Sequence, residues 1–329
     1  MHMADALVSP AVGATMYACS AIAAGYSIKK LKIENDPKKL PVMGVMGAFV
    51  FATQMINFTI PGTGSSGHLC GGMLLSAIVG PYAAFITMIA VLLIQCLLFA
   101  DGGILALGCN VWNMAFYGCF IGGLVIWKLF TKNGFSKKKI TIASIVGCIV
   151  TLQMGAFSVV LETTASRISA LPFSVFIAVM QPIHLAIGLV EGLITAAVLV
   201  FIHEARPDML YGAKEIAAEN KYSVKKTLAI LAVIAALIGG GLSLFASQNP
   251  DGLEWSIAQI TGDTEVESAG DIYTTAEEIQ GATSLLPDYS FSNSDSAAGI
   301  SFSGIFGAGL LLVVFLGIGT ITKKVGRKG

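Results

Sequence analysis

Long apolar runs, separated by short polar stretches, recur along the chain. They cover residues 11–28, 41–58, 82–100, 110–130, 140–162, 174–203, 225–246 and 303–322. A helix that spans a bilayer needs about 20 mostly apolar residues, so each run predicts one crossing. A shorter run at 69–80 ends against Pro81 and predicts a half-helix inside the bundle; with it the count is nine. The pattern therefore predicts an all-α, polytopic membrane helix bundle of seven plus two segments. In the first run, Ala14, Ala18, Ala21 and Gly25 form a stripe of small residues. Such a stripe permits close approach to another helix, in this chain or in a partner.

Composition agrees with lipid as the solvent. Of 329 residues, 55% are hydrophobic and 12% charged, against about 25% charged in soluble domains. The expected location is the cell membrane, with many passes. The zero net charge conceals a segregation of sign. Lys29, Lys30, Lys32, Lys38 and Lys39 follow the first helix, and Lys132, Lys137, Lys138 and Lys139 the fifth. Arg206, Lys214, Lys221, Lys225 and Lys226 follow the seventh, and Lys323, Lys324, Arg327 and Lys328 close the chain. Basic loops face the cytoplasm. Nine crossings with the N-terminus outside and the C-terminus cytoplasmic put every cluster inside, with only Arg167 opposite. The start of the chain lacks the basic segment of a cleavable signal peptide. The six cysteines have no paired spacing and are expected to be small buried residues.

Residues 206–223 form a polar linker, which divides the chain into a seven-helix domain at 1–205 and a two-helix module at 224–329. Within that module, 247–302 holds Asp251, Glu254, Asp263, Glu265, Glu267, Asp271, Glu277, Glu278, Asp288 and Asp295 without one Lys or Arg. Its composition predicts a flexible, solvated outer loop.

Candidate chemistry centres on histidine. His2 offers a metal the free amine of Met1, its own amide and its Nδ1, three nitrogens in one plane. That arrangement favours Ni(II) or Cu(II) and leaves one in-plane position open. His68, in the glycine-rich outer loop 62–68, is a candidate for that position, with Thr63, Ser65 and Ser66 able to orient its ring. An accidental second-position histidine and an unrelated loop histidine remain the alternative. Polar residues within membrane segments are functional candidates. Asp101, Asn110 and Asn113 lie at helix ends, where Asp101 and Asn110 also fit as caps. His184 and Glu191 are about two turns apart on one helix and fit a proton relay or an interhelical packing pair. No G-x-x-x-x-G-K-[ST] motif is present, and His203-Glu204-Ala205-Arg206-Pro207 is not a zinc-protease H-E-x-x-H.

Met1-His2, Ser66-Gly67-His68-Leu69-Cys70-Gly71-Gly72, Gly80-Pro81-Tyr82-Ala83-Ala84, Leu98-Phe99-Ala100-Asp101-Gly102-Gly103 and Gly108-Cys109-Asn110-Val111-Trp112-Asn113-Met114 stand together in the first 120 positions. In this combination the chain resembles the nickel/cobalt substrate-capture component of energy-coupling factor transporters, the NikM/CbiM type. Pro250-Asp251-Gly252-Leu253-Glu254 resembles the signature of that system's small partner subunit, here fused. The resemblance implies metal held by Met1, His2 and His68, with Ser66, Asp101, Asn110 and Asn113 around it. It also implies a transmembrane coupling subunit and ATP-binding cassette ATPase subunits as partners, no nucleic acid, and no enzymatic activity in this chain. The family often places a glycine near position 6; here Ala6 stands in Met3-Ala4-Asp5-Ala6.

The expected function is capture of Ni(II) on the outer side for an ATP-driven importer, with Co(II) as the alternative cargo and the acidic loop touching the outer loops to help metal in. Its rivals are a proton-coupled secondary transporter using His184 and Glu191, and a metalloenzyme with metal at His68, His184 and Asp101.

Overall fold

The computed structural model describes residues 1–31, 39–213, 221–267, 269–291 and 297–326, with backbone alone for 321–326. Lys32, Lys38, Lys214, Asp295, Arg327 and Lys328, and the side chains of Lys323 and Lys324, lie outside this description.

Seven helices build the first part: α1 (Pro10–Lys30), α2 (Lys39–Gln54), α3 (Gly72–Val79), α4 (Pro81–Phe99), α5 (Leu107–Thr131), α6 (Lys137–Ser166) and α7 (Phe173–Ala205). A small antiparallel hairpin, β1 (Phe58–Ile60) with β2 (Ser65–Gly67), joins α2 to α3. The second part holds α8 (Val224–Gly240), α9 (Gly252–Thr261), α10 (Asp271–Thr283) and α11 (Ala297–Gly326). Among the described residues, α1, α4, α5, α6, α7 and α11 are each long and apolar enough to cross a membrane. The helices α2 and α8 stop at 16 and 17 residues, shorter than the runs 41–58 and 225–246 suggested.

Apolar side chains point both ways, as lipid requires. On α7, Met180, Ile187 and Leu199 are buried, while Leu185, Leu189 and Leu193 are exposed four residues apart. A soluble fold rarely leaves such a stripe in water. The basic helix ends gather at one end of the bundle. Lys137 pairs with Glu204, and the rings of Tyr26 and Tyr82 meet at 5.8 Å. Tyr211 closes the same end through Ala77 O (2.8 Å) and Trp127 Nε1 (2.9 Å).

The two long helices of the second part pack on α2 and on each other. Gly239 and Gly304 face one another so closely that a Cβ at Gly239 would stand 3.0 Å from the Gly304 backbone. A side chain there would separate α8 from α11.

Among the described residues, the stretch 247–302 forms helices that pack on the bundle, where composition predicted a solvated loop. Leu253, Ser256 and Ile257 are buried at helical spacing on α9, and Tyr273 and Ala276 on α10. Acidic residues occupy the outward faces of these helices, so composition concealed an amphipathic pattern. The Pro-Asp-Gly-Leu-Glu motif starts α9 as a capping box: Asp251 accepts from Leu253 N (2.7 Å) and Glu254 N (2.9 Å), and Glu254 accepts from Asp251 N (2.9 Å).

Candidate metal centre

The N-terminus is pulled into the bundle by its own backbone. Asn110 accepts from Met3 N (2.7 Å) and donates to Met3 O (3.1 Å), completing the amide as a neighbouring strand would. Gly103 N also donates to Met3 O (2.9 Å). Asp5, in a tight turn over Asp5–Leu7, accepts from Ala106 N at 2.9 Å. Gly102 sits at φ 84° with His2 Cβ packed 3.3 Å from where its own Cβ would be, so glycine here serves both the turn and the close approach. Asn110 is therefore no helix cap. Asn113 donates to Glu162 (2.6 Å) and lies 3.4 Å from Met3 Sδ.

These anchors deliver the Met1 amine to a buried spot 3.1 Å from His68 Nε2, in an ion pair with Asp251. His68 Nδ1 lies 3.0 Å from the Leu69 carbonyl, which can only accept. Nδ1 therefore carries the ring proton and Nε2 presents its lone pair to the amine. Burial, with the nearby ammonium and His2, pushes the His68 pKa down to about 3, so the ring is neutral. Burial alone would lower the Met1 amine, but the Asp251 carboxylate outweighs it and holds the amine above its ordinary value. Burial alone would raise Asp251; the ammonium and His68 reverse this and hold it below the usual carboxylate range.

His2 stacks on His68, ring centroids 5.2 Å apart and planes within 22°. Its Nδ1 faces Asp101 Oδ1 at 3.1 Å and its Nε2 faces Gln95 Oε1 at 3.3 Å. Burial lowers its pKa, with Asp101 opposing. Asp101 also accepts the Tyr289 hydroxyl, so it is a site wall supplied with a partner from the second module, not a cap. The structure thus brings amine, His2 and His68 together. The in-plane chelate predicted for His2 needs its ring to turn from Asp101 toward the amine.

The backbone at 68–71 is buried without helix, so its polar groups must find partners within the protein. Cys70 O accepts from Gln54 Nε2 (2.9 Å), and Gly71 N donates to Glu191 Oε1 (2.9 Å). Glu191 therefore anchors the start of α3. It makes no pair with His184, whose Nδ1 donates to Met180 O at 2.8 Å. A relay or packing pair by direct contact between these two residues is therefore not what the structure holds. Among the described residues His184 Nε2 has no hydrogen-bond partner, and it lines a cavity of about 10 Å³, the room of one water, with Met1, His68 and Asp251. The serines also act otherwise than expected. Ser66 bonds the second module, through its N to Pro250 O (2.8 Å) and its hydroxyl to Asn249 O (2.8 Å). Trp255 Nε1 donates to Thr63 O at 3.0 Å. Among the described residues no three His, Cys, Asp or Glu side chains form a metal cluster, so the enzyme set His68, His184 and Asp101 is not assembled.

Asp251, Gln54, Gln95 and Tyr289 were not among the residues the sequence singled out for the site. Gln54 and Gln95 carried a signal, as polar residues inside apolar runs. Asp251 carried one as the cap of a motif far along the chain.

A family description, "Cobalt uptake substrate-specific transmembrane region" (CbiM), matches residues 2–209. The chain belongs to the CbiM family. A PDGLE domain follows it at residues 225–324. A putative fused nickel transport protein NikMN of Archaeoglobus fulgidus is 34% identical over 314 residues, covering 95% of this chain and 96% of its own. A probable fused nickel transport protein LarMN of Lactiplantibacillus plantarum is 31% identical and covers 78% of each chain. The cobalt transport protein CbiM of Geobacter sulfurreducens is 26% identical, over 79% of this chain and 77% of its own. A crystal structure described as a truncated transition metal transporter superposes with a TM-score of 0.55 at 33% identity, over 62% of this chain and 99% of that one. This CbiM-family chain is a nickel/cobalt transport component, a multi-pass membrane protein and not an enzyme.

Proposed function

We propose that the chain is the substrate-binding membrane component of an ATP-driven nickel importer of the energy-coupling factor type. The observation that carries this is the burial of the Met1 amine 3.1 Å from a His68 ring whose tautomer leaves Nε2 bare, with His2 stacked above it. The amine and amide of Met1-His2, the His2 Nδ1 and the His68 Nε2 supply four nitrogens. Four nitrogens in a plane suit Ni(II) better than Co(II). The names of the Archaeoglobus and Lactiplantibacillus relatives agree with nickel. Metal content of protein purified with Met1 as its first residue, loaded in competition between Ni(II) and Co(II), tests the reading. Preferential retention of Co(II) selects the alternative cargo.

The chain crosses the membrane nine times in this proposal, its N-terminus outside and its C-terminus cytoplasmic. The seven-helix domain at 1–205 carries the ligands, the linker 206–223 connects, and the module at 224–329 covers the site. ATP hydrolysis is assigned to separate cassette subunits through a transmembrane coupling subunit. The partner surface is α1, whose Ala14, Ala18, Ala21 and Gly25 are exposed, facing away from this chain's own bundle.

The module's carboxylate tests its role. Asp251→Ala removes the counter-ion of the buried amine and the cap of α9. Uptake assayed with the partner subunits is expected to fall at least about tenfold, the loss typical of groups that orient metal ligands. Wild-type uptake would make the module a connector only. His184→Gln is expected to lower uptake less than His2→Ala, since His184 bonds within its own helix. Lost uptake with intact nickel binding would favour proton coupling through His184.

A further inference from the structure

Glu191 uses only one of its two oxygens within the chain. Its Oε1 accepts from Gly71 N and so holds the non-helical strap at 68–71, while its Oε2 has no hydrogen-bond partner among the described residues. Asn113 is in the same position. Its Nδ2 donates to Glu162 Oε2 at 2.6 Å and lies 3.4 Å from Met3 Sδ, a sulfur that can only accept. The amide nitrogen therefore belongs on that side, and Asn113 Oδ1, on the other, has no partner among the described residues. Both residues are 2% exposed, and both line one cavity of about 10 Å³, the room of one water.

Two bare acceptors, one of them on a carboxylate, call for an occupant that donates hydrogen bonds or carries positive charge. The rest of the lining narrows the choice. Thr151 adds an oxygen whose own hydrogen goes to Gly147 O at 2.8 Å. Cys70, Met73 and Met114 add sulfur, and sulfur beside oxygen suits a transition metal better than Mg(II) or Ca(II). The location of the cavity agrees. Cys70 and Leu152 line both this cavity and the one lined by Met1 and His68, so the two adjoin. Glu191 stands past His184 on α7, about 10 Å along the axis, toward the end where Glu204 meets Lys137. A metal that leaves the capture site for the basic end of the bundle reaches this cavity first.

We propose that Glu191 and Asn113 form an inner station for the transported metal, on its way from the capture site to the basic end. This rests on the proposed capture by Met1, His2 and His68. The station's oxygens hold Ni(II) more loosely than four nitrogens do, and a stop on a path must bind weakly enough to let go. Full-length protein with Met1 as its first residue is expected to bind one tight and one weaker Ni(II) in equilibrium dialysis. Glu191→Gln should lose the weaker ion and keep the tight one. Its amide oxygen still accepts from Gly71 N, while its NH2 turns hydrogens toward the cavity. His2→Ala should do the reverse. Thr151→Val, which removes one oxygen and keeps the shape, should weaken the second ion only. With the partner subunits present, uptake by Glu191→Gln should slow severalfold at saturating nickel, with the metal-free thermal midpoint close to that of the unsubstituted chain. Anomalous diffraction from nickel-soaked crystals locates the second ion. A weak ion that persists in Glu191→Gln, one that lies elsewhere, or an ordered water alone in the cavity overturns the station. Slowed uptake without any second nickel overturns it in favour of a proton relay through Glu191. If Glu191→Gln does not fold, an unchanged second ion in Thr151→Val overturns the station. If His2→Ala keeps the tight ion, capture at the N-terminus is wrong, and the weaker ion still decides the station.

Discussion

One glycine placed between Met1 and His2 is expected to collapse nickel uptake while nickel binding survives. With histidine third, the amine, two amides and the ring can fill all four in-plane positions and leave none for His68. The structure gives the added residue nowhere to go. Met3 is held at both ends of its peptide by Asn110 and Gly103, and Asp5 by Ala106, so the insertion must displace the amine from His68 and Asp251. Acetylating the amine should instead abolish binding, because an amide nitrogen there is a poor ligand at neutral pH, and it leaves Asp251 buried without its charge partner. Metal content and uptake of both variants are the measurements; normal uptake in either would show that the N-terminal chelate is not the capture site. The mass of the purified chain checks that Met1 is its first residue. Acid should weaken retention in the unsubstituted protein. Loading displaces a proton from the amine and one from the amide. Asp251 raises the amine's pKa, so the proton competes harder there than in a free peptide, and affinity falls as pH falls. With two protons displaced, affinity changes by about 100-fold per pH unit, which titration calorimetry in several buffers can count.

His68→Ala is expected to cost nickel affinity more than about 100-fold, beyond the 10–100-fold typical of residues that only orient a ligand. The fold should lose little. His68 is buried, at 7% exposure, but the strap on which it sits is held by the bonds from Gln54 to Cys70 O and from Gly71 N to Glu191. Neither bond involves the imidazole. A destabilisation within the common 0.5–3 kcal/mol range is expected. The checks are nickel stoichiometry and affinity together with the thermal midpoint, in detergent and without metal. Unchanged affinity would remove His68 from the site. Lost affinity with a strongly lowered midpoint would make the loss structural.

The candidate ligands were legible because the chemistry of a second-position histidine is local: amine, amide and ring are neighbours in the chain. His68 was legible as a histidine in a glycine-rich outer loop and a candidate for the open position beside His2, a reading the family resemblance then favoured over an unrelated loop histidine. Of the walls, Asp101, Asn110 and Asn113 were named around the metal through the resemblance, but the partners of these residues were not legible. Ser66 seemed a ring partner and instead binds the backbone at Asn249 and Pro250. Asp101 and Asn110 seemed caps because they sit at helix ends; Asn110 pairs with Met3 and Asp101 takes the Tyr289 hydroxyl. His184 and Glu191 seemed one unit because they share a helical face, yet each bonds a different backbone group. The helices α9 and α10 were masked by acidic residues, although Asp251 and Glu254 spell a capping box.

By itself the amino-acid sequence determined the solvent, most of the helices and the grouping of basic residues at their ends, because hydropathy and charge act over segments of about 20 residues. It determined the chemistry available at the N-terminus for the same reason of proximity along the chain. Only the tertiary structure decided which distant groups share that chemistry: Asp251 against the Met1 amine, Glu191 under Gly71, and Gln54 with Gln95 beneath His2. Those contacts join residues dozens to hundreds of positions apart. They are made because buried backbone and charge must find partners where no water reaches, and which partner is in reach is settled only when the helices have packed.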